Sequence, residues 1–176
     1  MKLFTAITAA LLPLTALAAK KPSADRFTDY RQQQLSAGAS LKLNDDTYNQ
    51  LTKAPRDYSV AVLLTALEAR FGCVLCQEFQ PEWNLLSKSW AKGDKKGESK
   101  LVFGTLDFAS GQRTFQSVSD YYYYLLLAFI ARLYSGRLTV AQMMLQTAPV
   151  LVLFPPTTGP DAKPDGVPHR FDFTTG

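Results

Sequence analysis

The sequence has few of the side chains that bind metals or carry a glycan. One histidine and two cysteines occur in 176 residues, too few soft ligands for a four-ligand zinc site. None of the asparagines, Asn44, Asn49 and Asn84, is followed by the x-Ser/Thr pattern of an N-glycan acceptor. We therefore expect no metal, no cofactor and no glycan on this chain.

Charge is also sparse, and the two signs are mixed. Charged residues make up 19% of the chain, with 19 basic and 15 acidic residues and a net charge of +4. No basic run alternates with aromatic residues, which argues against nucleic acid as a partner. By contrast, 47% of the residues are hydrophobic, which excludes disordered, collagenous and coiled-coil classes. The length favours one globular domain.

The N-terminus has the pattern of a secretory signal. Met1-Lys2 gives a short positive start, Leu3 to Leu17 is uncharged and apolar, and Ala16-Leu17-Ala18 offers small residues to a signal peptidase. We predict that residues 1–18 are removed and that 19–176 form the mature domain. The apolar stretch is shorter than the ~20 residues that a spanning helix needs. The mature chain would enter an oxidising compartment, where a cysteine pair can persist as a disulfide.

The apolar pattern predicts an α/β fold. Residues 58–66, 101–106 and 150–154 are nearly continuous apolar runs, typical of strands that are covered on both faces. From Cys73 the apolar residues recur at the three- and four-residue spacing of a helix. The predicted buried face of this helix consists of Leu75, Phe79, Trp83, Leu86 and Trp90. Strands that alternate with helices indicate a sheet with helices packed against it.

Weaker signals suggest three further elements. A thin apolar stripe in residues 20–40 fits a marginal helix. Asn44 or Asp45 can cap a short helix that Ala54-Pro55 ends. Near the C-terminus, Phe171 and Phe173 alternate like the start of an edge strand.

The predicted chemistry lies at Cys73-Val74-Leu75-Cys76. A cysteine at a helix N-terminus meets free N–H groups and the helix dipole, which favour the thiolate that attacks disulfides. Cys73 could then hold a mixed disulfide that Cys76 resolves. The same spacing would also fit an inert buried disulfide or two thiols in the core, which are the alternatives to a redox-active pair. His169 is remote in sequence and is interpreted as a surface residue.

Ala148-Pro149 is the candidate substrate-binding dipeptide. In this kind of sheet, a proline just before a strand and opposite the helix start often follows a cis bond. Such a bond would expose the backbone N–H and C=O of Ala148 to an extended substrate. An ordinary trans proline at a strand start is the alternative.

Five stretches carry a family resemblance. They resemble the luminal thioredoxin-like domain of the oxidoreductase (gamma) subunit of the eukaryotic oligosaccharyltransferase complex, and the likeness extends from about Phe27 to Phe173. These stretches are Asp57-Tyr58-Ser59-Val60, Leu63-Leu64-Thr65-Ala66, Cys73 to Phe79, Leu101 to Phe108, and Thr147 to Pro160 with its distinctive Phe-Pro-Pro-Thr run.

The resemblance implies a thioredoxin-like sheet with flanking helices, in an accessory subunit at the luminal face of the endoplasmic reticulum. Its partners would be other oligosaccharyltransferase subunits and nascent cysteine-containing polypeptides, held by transient mixed disulfides and peptide contacts. Glycosyl transfer would belong to another subunit. Cys73 and Cys76 match the redox pair of the family, and Pro149 matches its cis-proline.

Two departures from the family pattern lead to further expectations. The family continues into four membrane spans, so membrane contact would come only through segments that this sequence lacks after Gly176. The closing helix of the domain is also missing from the sequence, which predicts a truncated domain with one sheet face uncovered.

The second departure is an apolar insert at residues 118–142, which starts with the tyrosine run Tyr121 to Tyr124. We interpret it as an intron translated in frame, because its removal joins Ser117 to Met143 without a frame change. A lineage-specific helical insert is the alternative.

Two other functions fit the same residues. A general thiol–disulfide oxidoreductase of the secretory pathway would need no membrane spans. A non-enzymatic peptide-binding module would carry an inert Cys73–Cys76 disulfide.

Overall fold

The computed structural model describes residues 23–117, 149–163 and 166–173. The predicted signal peptide (1–18) and the insert at 118–142, with its intron interpretation, lie outside these residues.

A five-stranded mixed sheet forms the centre of the molecule. Its strand order is β1-β3-β2-β4-β5. Strand β2 pairs in parallel with β3, where Val62 lies beside Gly104, and antiparallel with β4, where Val62 lies beside Val152. Strand β5 pairs antiparallel with β4. The strands are β1 Leu41–Leu43, β2 Ser59–Thr65, β3 Leu101–Asp107, β4 Val150–Phe154 and β5 His169–Asp172.

The three apolar runs form the three central strands, as predicted, and β5 confirms the edge strand expected near Phe171. For β4 the prediction of burial on both faces is wrong. Val150, Val152 and Phe154 are buried, whereas Leu151 and Leu153 remain partly exposed on the other face. A continuous apolar run does not by itself distinguish a strand that is buried on one face from a strand that is buried on both faces.

The helices flank this sheet. They are α1 Ser23–Ala37, α2 Asp45–Thr52 and α3 Val74–Gly93, and residues 112–117 are also helical. Asn44 caps α2, because its Oδ1 accepts the Thr47 N–H at 2.9 Å while Thr47 Oγ1 accepts the Asn44 N–H at 2.8 Å. This capping box satisfies donors that a helix start leaves free. The helix ends before the Ala54–Pro55 bond, which is cis.

Each face of the sheet has its own core. On one face, α2 and the segment after β3 cover β2, β3 and β4 through Tyr48, Leu51 and Phe115. On the other face, Trp83 of α3 packs against Ala61, Leu63 and Phe103. Trp83 also donates its indole N–H to Thr105 Oγ1 at 3.0 Å. Burial of its polar atom therefore carries no penalty.

The predicted buried face of α3 is wrong in part. Trp83 is buried as expected, but Leu86 is 48% and Trp90 41% exposed, and the other buried positions of the helix are Cys76 and Ser87. Helix α1 lies beside α3, and Gln34 donates to the Ser87 carbonyl at 3.4 Å. Trp90 instead bonds Ser99 Oγ at 3.0 Å on the following turn.

Strand β1 was not predicted from the sequence. It has three residues, too few to carry a period, and it pairs with β3 from Gly104 to Leu106. The Phe103 N–H lies one residue beyond this short ladder, and Gln34 Oε1 accepts it at 3.1 Å. The side chain of α1 thus completes the ladder, which explains why Gln34 is buried.

The architecture is thioredoxin-like, as the sequence predicts. A parallel pair, β3 and β2, continues into the antiparallel strands β4 and β5, and helix α3 follows β2 with the cysteine pair at its start. Across the part of the chain that the structure describes, no helix is both long and apolar enough to cross a bilayer.

A carboxylate joins α2 to the segment after β3, and it makes stability depend on pH. Partial desolvation raises the pKa of Asp45, but bonds from Thr114 and Arg113 outweigh it and hold the pKa below its ordinary value. Asp45 Oδ1 accepts the Thr114 N–H at 2.8 Å and its hydroxyl at 2.7 Å. Since the folded pKa is depressed, the stabilisation is present at neutral pH and is lost as pH falls below the unfolded value near ~3.9.

Asp45→Asn tests this dependence. We expect the variant to melt a few degrees below the parent at pH 6, because a neutral amide accepts these bonds more weakly. The difference should narrow as pH falls below the unfolded value, because protonation then removes the charge whose bonds stabilise the folded state. Thermal unfolding followed by circular dichroism at several pH values measures it. A constant difference across that range would contradict the role of the charge.

Candidate functional site

The cysteine pair lies at the carboxyl edge of the sheet, just beyond β2. A short 3₁₀ turn, Ala69–Phe71, separates the strand from the helix. Gly72 then adopts φ 63°, a left-handed conformation that side chains disfavour. This turn reverses the chain and sets Cys73 at the N-cap of α3. The helix start that the sequence predicts at Cys73 is confirmed.

Cys73 and Cys76 form a disulfide with a Cα–Cα distance of 5.3 Å. Cys73 is 8% exposed, whereas Cys76 is completely buried. Cys73 Sγ accepts the backbone N–H of Cys76 at 3.2 Å, and Cys76 Sγ accepts the Ala66 N–H at 3.4 Å. The two sulfurs therefore differ in access as well as in position on the helix.

This asymmetry determines which sulfur can exchange with another chain. When the disulfide opens, a thiolate at Cys73 would keep the Cys76 N–H and the dipole of a 20-residue helix, and both stabilise negative charge. Cys76 lies in an apolar cluster with Ala66 and Cys73, where burial disfavours its thiolate. Cys73 is thus the sulfur suited to attack, and Cys76 is suited to resolve.

Apolar side chains surround the disulfide. Val74, between the two cysteines, is 65% exposed. Phe71 and Phe108 pack edge to face, with ring centroids 5.1 Å apart, against the cluster that holds both cysteines. Such a surface suits an apolar stretch of polypeptide better than a charged one.

Asp107, at the end of β3, holds the two loops of this edge together. Its Oδ2 accepts the Leu67 N–H at 2.8 Å, and its Oδ1 accepts the Ala109 N–H at 2.9 Å. Both oxygens are thus engaged by backbone. Asp107 therefore positions the loop that leads to Cys73.

Pro149 lies at the same edge as the disulfide. It is fully buried and directly precedes β4, whose first residue Val150 pairs with Leu64 near the end of β2. Because β4 runs antiparallel to β2, its start and the cysteine pair meet at one end of the sheet. Ala148 lies outside the described residues, and with it the predicted cis bond.

At the opposite end of the sheet is a cleft of about 590 Å³, whose lining includes Asp57, Lys100, Lys163 and His169. His169 is exposed, as expected for a surface residue, and is far from the disulfide.

Sequence reasoning missed Phe71 and Phe108 as parts of the site. Phe108 could have been found, because it follows β3 at the same carboxyl edge as β2, where loops of parallel strands converge. No sequence signal pointed to Phe71. Its position depends on the conformation of the loop between β2 and α3, which contains the 3₁₀ turn Ala69–Phe71.

Three comparisons place the chain among known proteins. The OST3 / OST6 family, transporter family, matches residues 26–119. Over 80 residues the chain is 35% identical to the chicken dolichyl-diphosphooligosaccharide--protein glycosyltransferase subunit MAGT1, and 34% to the human one. Each match covers 45% of this chain and 24% of the relative. The chain thus spans about a quarter of the length of these curated relatives.

Two solved structures are similar at low identity. The Trx4 domain of ERdj5 matches with a TM-score of 0.42 and 16% identity, over 78% of this chain and 83% of that one. Thioredoxin f from spinach chloroplast matches with a TM-score of 0.39 and 15% identity, over 69% and 72%.

The family match includes both cysteines and the strands on either side of them, and it extends over more than half of the chain. This chain belongs to the OST3/OST6 family.

Proposed function

We propose that this chain acts in the endoplasmic reticulum as an accessory subunit of the oligosaccharyltransferase complex. It would support N-glycosylation by holding nascent polypeptides at Cys73, while another subunit transfers the glycan. The observation that carries the proposal is the disulfide at the start of α3, in which Cys73 keeps 8% of its surface exposed and Cys76 none, in a chain of the OST3/OST6 family. The similarity to MAGT1, a dolichyl-diphosphooligosaccharide--protein glycosyltransferase subunit, supports the assignment to that complex.

The proposed chemistry is thiol–disulfide exchange. A client thiolate attacks Cys73 Sγ, a new S–S bond joins client and Cys73, and Cys76 leaves as the thiolate. Cys76 can then attack Cys73 Sγ, which reforms the disulfide and releases the client thiolate unchanged. The cycle is electron-neutral and delays folding of the client. If a second client thiolate attacks instead, the client gains a disulfide and the pair is reduced by two electrons.

The apolar surroundings support a holding role. Val74 and the ring pair Phe71–Phe108 offer contacts to an unfolded segment, and Pro149 lies at the same sheet edge. Ala148 is proposed to present its backbone to that segment, with Pro149 as the residue that sets its direction. Contacts of this kind would retain a client for longer than a disulfide alone.

Cys76→Ser tests the proposal in cells. In this variant the Cys73 thiolate attacks a disulfide of a client, one client sulfur leaves as the thiolate, and no resolving thiol is present to break the new mixed disulfide. We expect several-fold more adducts than with the parent chain. Mass spectrometry of the adducts should find N-x-Ser/Thr sites near the trapped cysteines more often than in secretory proteins at large. The matched control is the Cys73→Ser/Cys76→Ser variant, which should trap nothing.

The other outcomes separate the alternatives. Adducts without enrichment in N-x-Ser/Thr sites would indicate a general oxidoreductase of the secretory pathway. No adducts at all would indicate a peptide-binding module in which the disulfide is structural.

A further inference from the structure

We infer that the hydroxyl of Thr65, at the end of β2, stabilises Cys76 whenever the Cys73–Cys76 bond is open. Thr65 is completely buried, and among the described residues its Oγ1 has no hydrogen-bond partner. A buried polar atom without a partner costs free energy and is rare in folded proteins. The inference rests on the proposed exchange at this disulfide, and it names a side chain that sets the equilibrium of that exchange.

Thr65 lies on the α3 side of the sheet, beneath the start of that helix. Side chains alternate along a strand, and Ala61 and Leu63, on the same face of β2, pack with Trp83 of α3. Cys76 precedes Trp83 by seven residues, which is about 10.5 Å along the helix axis. Three residues along a strand span about 10 Å. The same packing therefore places Cys76 over Thr65.

The hydrogen bonds around Thr65 support this placement. The N–H of Ala66, the next residue, donates to Cys76 Sγ at 3.4 Å, so this sulfur lies at the end of β2. Asp107 lies beside Thr65 on β3, but its two carboxylate oxygens accept backbone N–H groups of the adjoining loops. Cys76 Sγ is therefore the neighbour to which we assign the Thr65 hydroxyl.

Opening of the disulfide changes the sulfur that Thr65 faces. An uncharged sulfur is a weak acceptor. When a client thiolate attacks Cys73 Sγ, the Cys73–Cys76 bond breaks and its electron pair stays on Cys76 Sγ as a thiolate. A hydroxyl can donate to this thiolate, or accept from the S–H once the sulfur has taken a proton. Thr65 thus gains a partner in the mixed disulfide and in the reduced pair.

This bond would favour the states in which a client is held. It makes Cys76 a better leaving group, because a stabilised thiolate leaves faster. It also lowers the free energy of the mixed disulfide relative to the closed Cys73–Cys76 pair, so a client would spend longer on Cys73. The buried hydroxyl therefore supports holding rather than rapid release.

Thr65→Val tests the inference through the redox equilibrium of the purified full chain. A methyl group replaces the hydroxyl, so the reduced pair loses a bond whereas the closed pair loses none. Dithiothreitol reduces the disulfide to two thiols and is itself oxidised to its cyclic disulfide. In dithiothreitol buffers, thiol alkylation and mass spectrometry should show an equilibrium constant shifted about tenfold toward the protein disulfide, a potential ~30 mV more negative. The opening rate should fall several-fold.

Two variants separate the hydroxyl from general damage to the sheet. Thr65→Ser keeps the donor and should stay within about twofold of the parent equilibrium constant. Thr105→Val makes the same change on the same face of β3, where Thr105 Oγ1 accepts the Trp83 indole N–H at 3.0 Å. It should lower the melting temperature and leave the redox equilibrium unchanged. Oxidised Thr65→Val should melt no lower than the parent.

The outcomes distinguish this inference from the proposed function. An equilibrium constant for Thr65→Val within about twofold of the parent, or an equal shift for Thr105→Val, would overturn the inference. Trapping of clients by Cys76→Ser would still support the proposed function in that case. A parent disulfide that dithiothreitol cannot open in the folded chain would also overturn the inference. If Thr65→Val does not fold, Thr65→Ala, which also lacks the hydroxyl, replaces it with the same expected shift.

Discussion

After gentle reduction, Cys73 should react with iodoacetamide at least about tenfold faster than Cys76 at neutral pH. The reagent attacks thiolates, and the Cys73 sulfur has the Cys76 N–H and the start of α3 to stabilise its charge. Cys76 is completely buried among apolar neighbours. Peptide mass spectrometry at increasing times gives both rates from one sample.

The same asymmetry predicts opposite effects of the two serine variants on exchange with a small disulfide substrate. Cys73→Ser should abolish the mixed disulfide, whereas Cys76→Ser should form it and fail to release it. Labelling in urea is the control, because there both thiols should react at similar rates. Equal labelling rates of Cys73 and Cys76 in the folded protein would mean that the helix start opens readily. The assignment of Cys73 as the attacking sulfur and Cys76 as the resolving sulfur would then be wrong.

Arg56→Met should destabilise the fold by about 3 kcal/mol, since hydrogen bonds to a charged group contribute roughly 1.5–3 kcal/mol each. Arg56 is buried and donates to the carbonyls of Thr52 and Pro155, the latter at 2.6 Å. Its guanidinium lies over the Phe154 ring, 5.5 Å from the centroid. Methionine keeps the length but leaves both carbonyls without this donor. Urea unfolding measures the change.

Arg56→Lys refines this prediction. An ammonium group keeps the positive charge but not the planar fork that spans two carbonyls, so we expect a loss between those of the parent and of Arg56→Met. Arg70→Met is the matched control, because Arg70 is exposed and pairs with Glu68 on the surface, where such pairs contribute about 0–1 kcal/mol. A loss for Arg56→Met no larger than for Arg70→Met would show that the buried cation is not needed.

The bonds around Arg56 explain the most distinctive stretch of the sequence. The run from Phe154 to Thr158 wraps this side chain and its backbone. Thr157 Oγ1 accepts the Arg56 N–H at 2.9 Å, and the Arg56 carbonyl accepts the N–H groups of Thr157 and Thr158 at 2.8 and 3.0 Å. The prolines lack N–H donors, so they can follow β4 without leaving a donor unsatisfied. The Phe-Pro-Pro-Thr run therefore has a structural role: it binds the segment before β2 at the end of the sheet opposite the disulfide.

Local sequence was enough to predict several features. Strands β2 and β3 were predictable because each is a nearly continuous apolar run. The cap of α2 was predictable to Asn44 or Asp45, and the bond from the Thr47 N–H identifies Asn44. The start of α3 at Cys73 was predictable because the apolar period changes there to that of a helix. Each of these depends on residues close together in the chain.

The rotation of α3 was not predictable in this way. Apolar residues occupy more than one side of the helix, so periodicity alone allowed a face through Leu86 and Trp90. In the folded chain α1 lies beside α3, and Gln34 donates to the carbonyl of the buried Ser87. The side of α3 that is buried thus depends on elements that lie far apart in sequence.

By itself, the sequence determined the family, the central strands and the cysteine pair at a helix start, since these follow from motifs and periods within short segments. Only the tertiary structure decided that Cys76 is completely buried while Cys73 keeps 8% of its surface exposed, and that Arg56 is a core residue. The physical reason is the same in each case. Burial, and the partners of a buried charge, depend on groups that folding brings together from distant parts of the chain.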